Sequence, residues 1–300
     1  MPTLAVAMLL GGVVVLGLPH GAADPWVAAT ALRSAEGLRG RAVFVLSYLA
    51  CALAVVVAWS LWPSLSLAVF LGVSAVHFGL ADTRSLKLSP AGRTLTGLHR
   101  GLLPIVLPLH WHSAEVASVL EVLVGMPSGA LGALTNAAGA QLFVLWCALA
   151  GLAGLTSLRE SGPRSSAFEA LTTLALVLIF ALLPPLPAFA LYFGGWHSLR
   201  HLRLIAKLFE RDRFSRRALA IGGTALWAAS AGLLLGTPEL LAWAEVSSEE
   251  RSGLGVYDPR WLQSVFIGLA ALTLPHVLLT DGLAQFRGTW ARAAKDLSRA

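Results

Sequence analysis

A bundle of eight or nine membrane-spanning α-helices is the fold this sequence predicts, with residues 1–300 forming one integral-membrane domain. Three observations predict it. The chain is 56% hydrophobic and 13% charged, where soluble domains run near ~45–50% apolar and ~25% charged; its mean hydropathy is +0.73. The apolar residues also come in long uncharged runs, and about 20 in succession is the length that crosses a bilayer as a helix. Finally, the basic residues gather in alternate connections between those runs. The 29 glycines suit close helix–helix approach in lipid.

In chain order the runs predict spans at 4–19, 42–62, 65–82, 98–111, 131–156, 167–184, 188–206, 218–236 and 261–281. The fourth is short, and 114–127 reads as an interfacial or re-entrant piece. The connection after the first span carries Arg33, Arg39 and Arg41; the one after the third carries Arg84, Lys87 and Arg93. Arg159 and Arg164 follow the fifth, Arg211, Arg213, Arg216 and Arg217 the seventh, and Arg287, Arg292, Lys295 and Arg299 the last. The opposite connections hold Trp62-Pro63-Ser64, Glu115 to Glu121, Pro184 to Pro187, and Glu239, Glu245, Glu249 and Glu250. The positive-inside pattern therefore puts the N-terminus outside and the C-terminus in the cytoplasm of a multi-pass protein of the cell (inner) membrane.

Several function classes fall away. The net charge of +6 arises from short basic loops, without the basic stripe and interleaved aromatics of a nucleic-acid binder. Cys51 and Cys147 each lie inside an apolar run, as packing residues do. No dinucleotide, Walker, nucleophile-elbow or H-E-x-x-H motif is present. The first run lacks a basic n-region and continues into Pro19-His20-Gly21, so it reads as a retained span rather than a cleaved signal.

Histidines stand out against this background. His20 ends the first span, His77 nears the end of the third, His197 and His201 lie in the seventh, and His276 lies in the ninth. All four spans run from outside to inside, so these rings share one depth near the cytoplasmic face. A single histidine in an apolar helix is ordinarily a satisfied hydrogen-bonding residue. Agreement in depth across four helices points instead to a shared metal ion, because intramembrane ionisable groups are costly and face the bundle interior. His197 and His201, four residues apart, share a helix face. Asp24, Asp82 and Asp281 each follow a histidine by four or five residues, and such carboxylates commonly hold an imidazole tautomer from behind the metal. Imidazole donors suit zinc, copper, iron or nickel. Open positions in an apolar bundle favour non-haem Fe(II) acting with O2 on an apolar substrate, with haem and copper left open. His110 and His112 read as interfacial, and so does His99, with a supporting place beside the metal as its alternative. Trp26, Phe78, Tyr192, Phe193 and Trp196 surround the histidines in sequence, as membrane-interface anchors or as the lining of a tunnel for a long polyene. Headgroup anchoring accounts for Arg200.

At these residues the chain resembles the Brp/Blh family of membrane β-carotene 15,15′-dioxygenases. The matching pieces are Pro19-His20-Gly21 with Asp24, His77-Phe78-Gly79 with Asp82, Trp196 to His201, and Pro275-His276 with Asp281. The resemblance spans nearly the whole chain, and the tryptophan–histidine block is its most specific part. It implies cleavage of the central double bond of β-carotene by O2 to two retinal molecules, in a lipid bilayer, and a functional link to a retinal-binding rhodopsin. It also implies an Fe(II) centre on His20, His77, His197 and His201, with His276 as a fifth ligand or a supporting residue. Other readings are a non-catalytic carotenoid- or retinal-binding assembly factor for a rhodopsin, a membrane di-iron hydroxylase, and a cation or haem transporter.

Overall fold

The computed structural model describes residues 9, 11–17, 21–31, 37–84, 86–208, 223–225, 228 and 259–283. Among them every regular element is helical. The elements are α1 (Asp24–Ala31), α2 (Gly37–Leu61), α3 (Pro63–Thr83), α4 (Pro90–Trp111), α5 (Ser113–Val124), α6 (Gly132–Ser161), α7 (Pro163–Leu182), α8 (Pro185–Ala190), α9 (Leu199–Leu208) and α10 (Pro259–Val277). Three π-helical segments, Gly12–Gly17, Leu191–Ser198 and Leu278–Leu283, join or precede them. Half of the predicted first span, most of the eighth, His20, and the charged residues used to orient the last two connections and the tail lie outside the described residues.

Among the described residues five helices are long and apolar enough to cross a membrane: Arg39–Leu61, Pro63–Thr83, Gly132–Ser161, Pro163–Leu182 and Trp261–Gly282. Large aliphatic side chains stand open on them, among them Leu46, Leu53, Val144, Leu145, Leu171 and Leu182, each more than 60% exposed. Soluble monomers rarely expose contiguous apolar surface on this scale, and a lipid environment accounts for it. The chain is a membrane protein.

The chain divides into two compact units, one built on Leu71–Tyr192 and the other on Leu10–Phe70 with residues from Phe193 onward. In the first, α4 begins at Pro90 rather than at the predicted residue 98. Ser89 caps it by accepting a bond from the Gly92 amide at 3.1 Å, and Pro90 takes the first helical position, where its missing N–H costs nothing. The Ser89 amide and hydroxyl in turn donate to Glu160 at 2.6 and 2.8 Å, and the Ser161 hydroxyl donates to the Lys87 carbonyl at 3.1 Å. Two connections that loop charge assigns to one side are thereby tied together. The stretch predicted at 114–127 is α5, whose 12 residues are too few to span a bilayer. Glu121, 2% exposed, accepts from the Gly129 and Leu131 amides at 3.0 and 2.7 Å and closes the turn into α6.

Helices α3 and α4 cross without side chains between them. A Cβ at Gly101 would overlap the Ala75 carbonyl, and one at Gly79 would overlap the carbonyl of Gly97. Ala75 and Gly79, like Gly97 and Gly101, form small-x-x-x-small pairs that let backbones touch in lipid. Arg100 is 3% exposed and donates to the Glu169 carboxylate at 2.7 Å and to the Glu169 carbonyl at 2.8 Å, joining α4 to α7. Removing one partner strands a buried charge, which typically costs about 3–5 kcal/mol. Glu169→Gln is therefore expected to lower the thermal unfolding midpoint in detergent sharply, and Arg100→Met with Glu169→Leu to recover part of the loss.

In the second unit an apolar cluster of Ala23, Val27, Ala28, Ile205 and Leu279 joins α1, α9 and the last π segment. Trp26, Phe44 and Leu204 pack against its edge. Asp24, His201 and His276 sit one turn or less along their helices from members of this cluster, so the core that folds the unit also fixes three polar residues.

Candidate functional site

The sequence places five histidines, at positions 20, 77, 197, 201 and 276, at one expected depth. Four of them are described, and all four are buried: His77 is 2% exposed, His197 1%, His201 3% and His276 3%. Their burial inside apolar helices separates them from interfacial histidines, whose polar edge meets water.

The second unit brings several of these groups together. His276 follows Pro275, which lacks an amide hydrogen and interrupts the hydrogen-bond ladder inside α10. Two residues later the chain widens into the π segment Leu278–Leu283, where the Thr280 hydroxyl donates to the His276 carbonyl at 2.9 Å. The His276 Nδ1 lies 2.9 and 3.0 Å from the two carboxylate oxygens of Asp24, itself 1% exposed. From α2 the Tyr48 hydroxyl donates to Asp24 at 2.9 Å and lies 3.2 Å from the Leu272 carbonyl. On its other side, the His276 ring meets His201 edge to face, with centres 5.3 Å apart and planes at 69°.

His197 and His201 do not share one uninterrupted α-helix. His197 lies in the π segment Leu191–Ser198, and His201 in α9 just beyond it. The Ser198 hydroxyl donates to the Phe193 carbonyl five residues back at 2.7 Å, which helps close the wide turn. Such π turns recur at functional sites because the extra residue re-aims the side chains that follow. Phe193 stacks on His197 with planes 14° apart and centres at 6.0 Å. Its ring fills the place where a side chain at Gly17 would stand.

The aspartates fall differently from the sequence expectation. Asp24 does hold an imidazole, but that of His276 on a distant helix. Asp82 is buried, at 3%, in the unit that holds His77, and Asp281 is half-buried in the last π segment. Of the five aromatic residues, Phe78 and Tyr192 belong to the first unit and meet at 5.3 Å in an edge contact, with Phe180 tilted against Tyr192 at 6.0 Å. Trp26 borders the apolar cluster of the second unit. Trp196 is half-buried, and the Arg200 guanidinium stands over its ring at 4.9 Å; this cation–π contact adds to the headgroup anchoring expected of Arg200.

One interfacial reading is corrected. His99 is 5% exposed, and its ring lies against Trp146 at 4.9 Å while the Trp146 Nε1 donates to the His99 carbonyl at 3.0 Å. His110 stacks flat on Phe143 at 3.9 Å, and the His112 Nε2 lies 3.1 Å from the Phe180 carbonyl; both are half-buried. Tyr48 escaped the sequence reading, since one tyrosine in an apolar run looks like any aromatic filler.

Among the described residues no three or more His, Cys, Asp or Glu side chains form a group that could hold a metal. The donor chemistry of the second unit nevertheless fits a metal with nitrogen ligands. A carboxylate on Nδ1 leaves the opposite nitrogen, Nε2, directed away from it, which is the arrangement behind most metal-bound histidines. Two imidazoles bound to one ion at the typical ~2.1 Å also hold their ring centres roughly 5 Å apart. The His201–His276 spacing agrees with that.

The family model described as Beta-carotene 15,15'-dioxygenase matches residues 11–284. A protein named beta-carotene 15,15'-dioxygenase from an uncultured marine bacterium, 66A03, is 31% identical over 271 residues, covering 90% of each chain. Two proteins of Halobacterium salinarum, named probable beta-carotene 15,15'-dioxygenases Blh and Brp, are each 27% identical; they cover 96% and 93% of this chain and 86% and 83% of their own length. No solved structure matches.

Proposed function

Because the chain belongs to the beta-carotene 15,15'-dioxygenase family, we propose that it cleaves β-carotene at the central 15,15′ double bond with O2, yielding two molecules of retinal. The observation that carries this reading is the burial of His77, His197, His201 and His276, none more than 3% exposed, within apolar helices. Imidazoles are kept dry at such cost when they bind something. The proposed ligands of a ferrous ion are His20, His77, His197 and His201, with His276 beside them. Iron held there would supply the activation of O2.

The chain's own residues do the rest. A C40 polyene has many similar double bonds, so regiochemistry depends on where its middle is held, and positioning is the protein's main contribution. Phe193 lies flat on His197 and offers an apolar face next to an imidazole. Phe78, Tyr192 and Trp196, with Trp26 at a core edge, are the proposed lining for the polyene, which would enter from the lipid. Phe78, Tyr192 and Phe193 are themselves buried, which keeps water from their rings. Each carbon of the cleaved bond becomes an aldehyde, so no general base is required. The histidines serve as ligands, not proton shuttles. The enzyme works in the cell membrane and its product suits a retinal-binding rhodopsin.

Expression in cells that accumulate β-carotene tests the reading. Loss of orange colour with the appearance of retinal, and of no shorter or longer apocarotenoid, is the expected result. Pigment that persists bound to abundant protein would instead favour a carotenoid-binding role.

A further inference from the structure

We propose that His276 is a metal ligand whose tautomer is set by Asp24, and that Tyr48 fixes Asp24 in turn. Tyr48 and Asp24 are then positioning residues behind the iron, an inference that rests on the iron reading above. Asp24 is 1% exposed, and an isolated carboxylate is strongly disfavoured away from water unless donors surround it. Two donors reach it, the Tyr48 hydroxyl at 2.9 Å and the His276 Nδ1 at 2.9 Å. An ionised carboxylate only accepts, so the proton between it and the ring belongs to Nδ1. A neutral ring with its proton on Nδ1 carries its lone pair on Nε2, across the ring from Asp24. The ring centre of His201 lies 5.3 Å away, a spacing compatible with two imidazoles on one ion. Tyr48 also approaches the Leu272 carbonyl, at 3.2 Å, one turn before His276. Its single proton, given to the carboxylate, holds Asp24 beside the helix that carries the imidazole. Three segments, α1, α2 and α10, meet at the Asp24 carboxylate.

A structural tie between these helices would use the same bonds, and metal affinity separates the two roles. Full-length protein, purified in detergent and stripped of metal, is titrated with ferrous iron, and the thermal unfolding of the metal-free form is followed in parallel. The Asn in Asp24→Asn can donate to Nδ1, which favours the proton on Nε2 and removes the lone pair from that atom. This variant is expected to bind iron about 10–100-fold more weakly, with little change in the metal-free unfolding midpoint. Tyr48→Phe, which leaves the Asp24–His276 contact in place, is expected to show a smaller loss of affinity. Unchanged iron affinity in Asp24→Asn, with or without a lower midpoint, overturns the proposal. Should that variant not fold, unchanged affinity in Tyr48→Phe does so. Wild-type protein that takes up no iron overturns the iron reading and this inference with it, a result distinct from iron bound equally well by wild type and variant.

Discussion

His201→Ala is expected to reduce retinal formation to background in β-carotene-accumulating cells, with the protein still present in the membrane fraction. His201 is 3% exposed and lies between the π segment that carries His197 and the apolar residues Leu204 and Ile205. Its ring lies edge to face on His276 at 5.3 Å. Alanine removes a proposed iron ligand and the partner of that contact together. The cavity left by a side chain of this size costs about 2–5 kcal/mol if the site does not relax, so protein level must be measured with activity. His110→Phe is the control. Its ring stacks flat on Phe143 at 3.9 Å, an arrangement phenylalanine preserves, and retinal yield should stay at the wild-type level. If His201→Ala kept full activity, the metal reading of this histidine would fail whatever the fate of the others.

The fold was legible mainly through run length. α2, α3, α6 and α7 lie close to their predicted spans because their charged residues, Asp82 and Glu169 among them, fall near the ends and leave the apolar runs unbroken. The span predicted at 98–111 misses the first two turns of α4 because Arg93 breaks the apolar run there, as Arg100 does further on. In the structure their polar groups are met inside the protein: Arg93 donates to the carbonyls of Thr83 and Leu86 at 2.9 and 3.2 Å, and Arg100 pairs with Glu169. A charge satisfied internally is compatible with a buried helix, yet hydropathy counts it as a break. The Ser89-Pro90 pair was the signal that marks the true start. His99 was misread for the same reason.

Site residues were legible as ionisable groups in apolar runs, but their pairing was not. Asp24 lies four residues after His20 and bonds to His276, 252 residues away. Spacing along a chain reports neighbours on one helix; it carries no information on which helices meet. The π segment before His201 left only the Gly194-Gly195 pair as a trace, two residues with weak commitment to α geometry. Where the helix departs from its regular period, inference from residue spacing loses its basis.

Gly101→Val is expected to lower the unfolding midpoint strongly and to abolish retinal formation, although Gly101 belongs to no proposed ligand set. Its Cβ would overlap the Ala75 carbonyl. The obstructing atom is backbone, so no rotamer change relieves the clash, and α3 and α4 must move apart. Overpacking of a core ordinarily costs about 1–3 kcal/mol, and a clash against main chain falls at the upper end or beyond. His77 lies on α3 between Ala75 and Gly79, the two small residues at this crossing, and any separation of the helices displaces it. Gly72→Ala on the same helix is the matched comparison, since a Cβ there meets nothing within 4 Å. Alanine in place of glycine in a helix interior gains about 0.5–1 kcal/mol, so this variant should unfold at or slightly above the wild-type temperature and keep its activity. Equal behaviour of the two glycine variants would mean that the α3–α4 contact does not hold His77 in place.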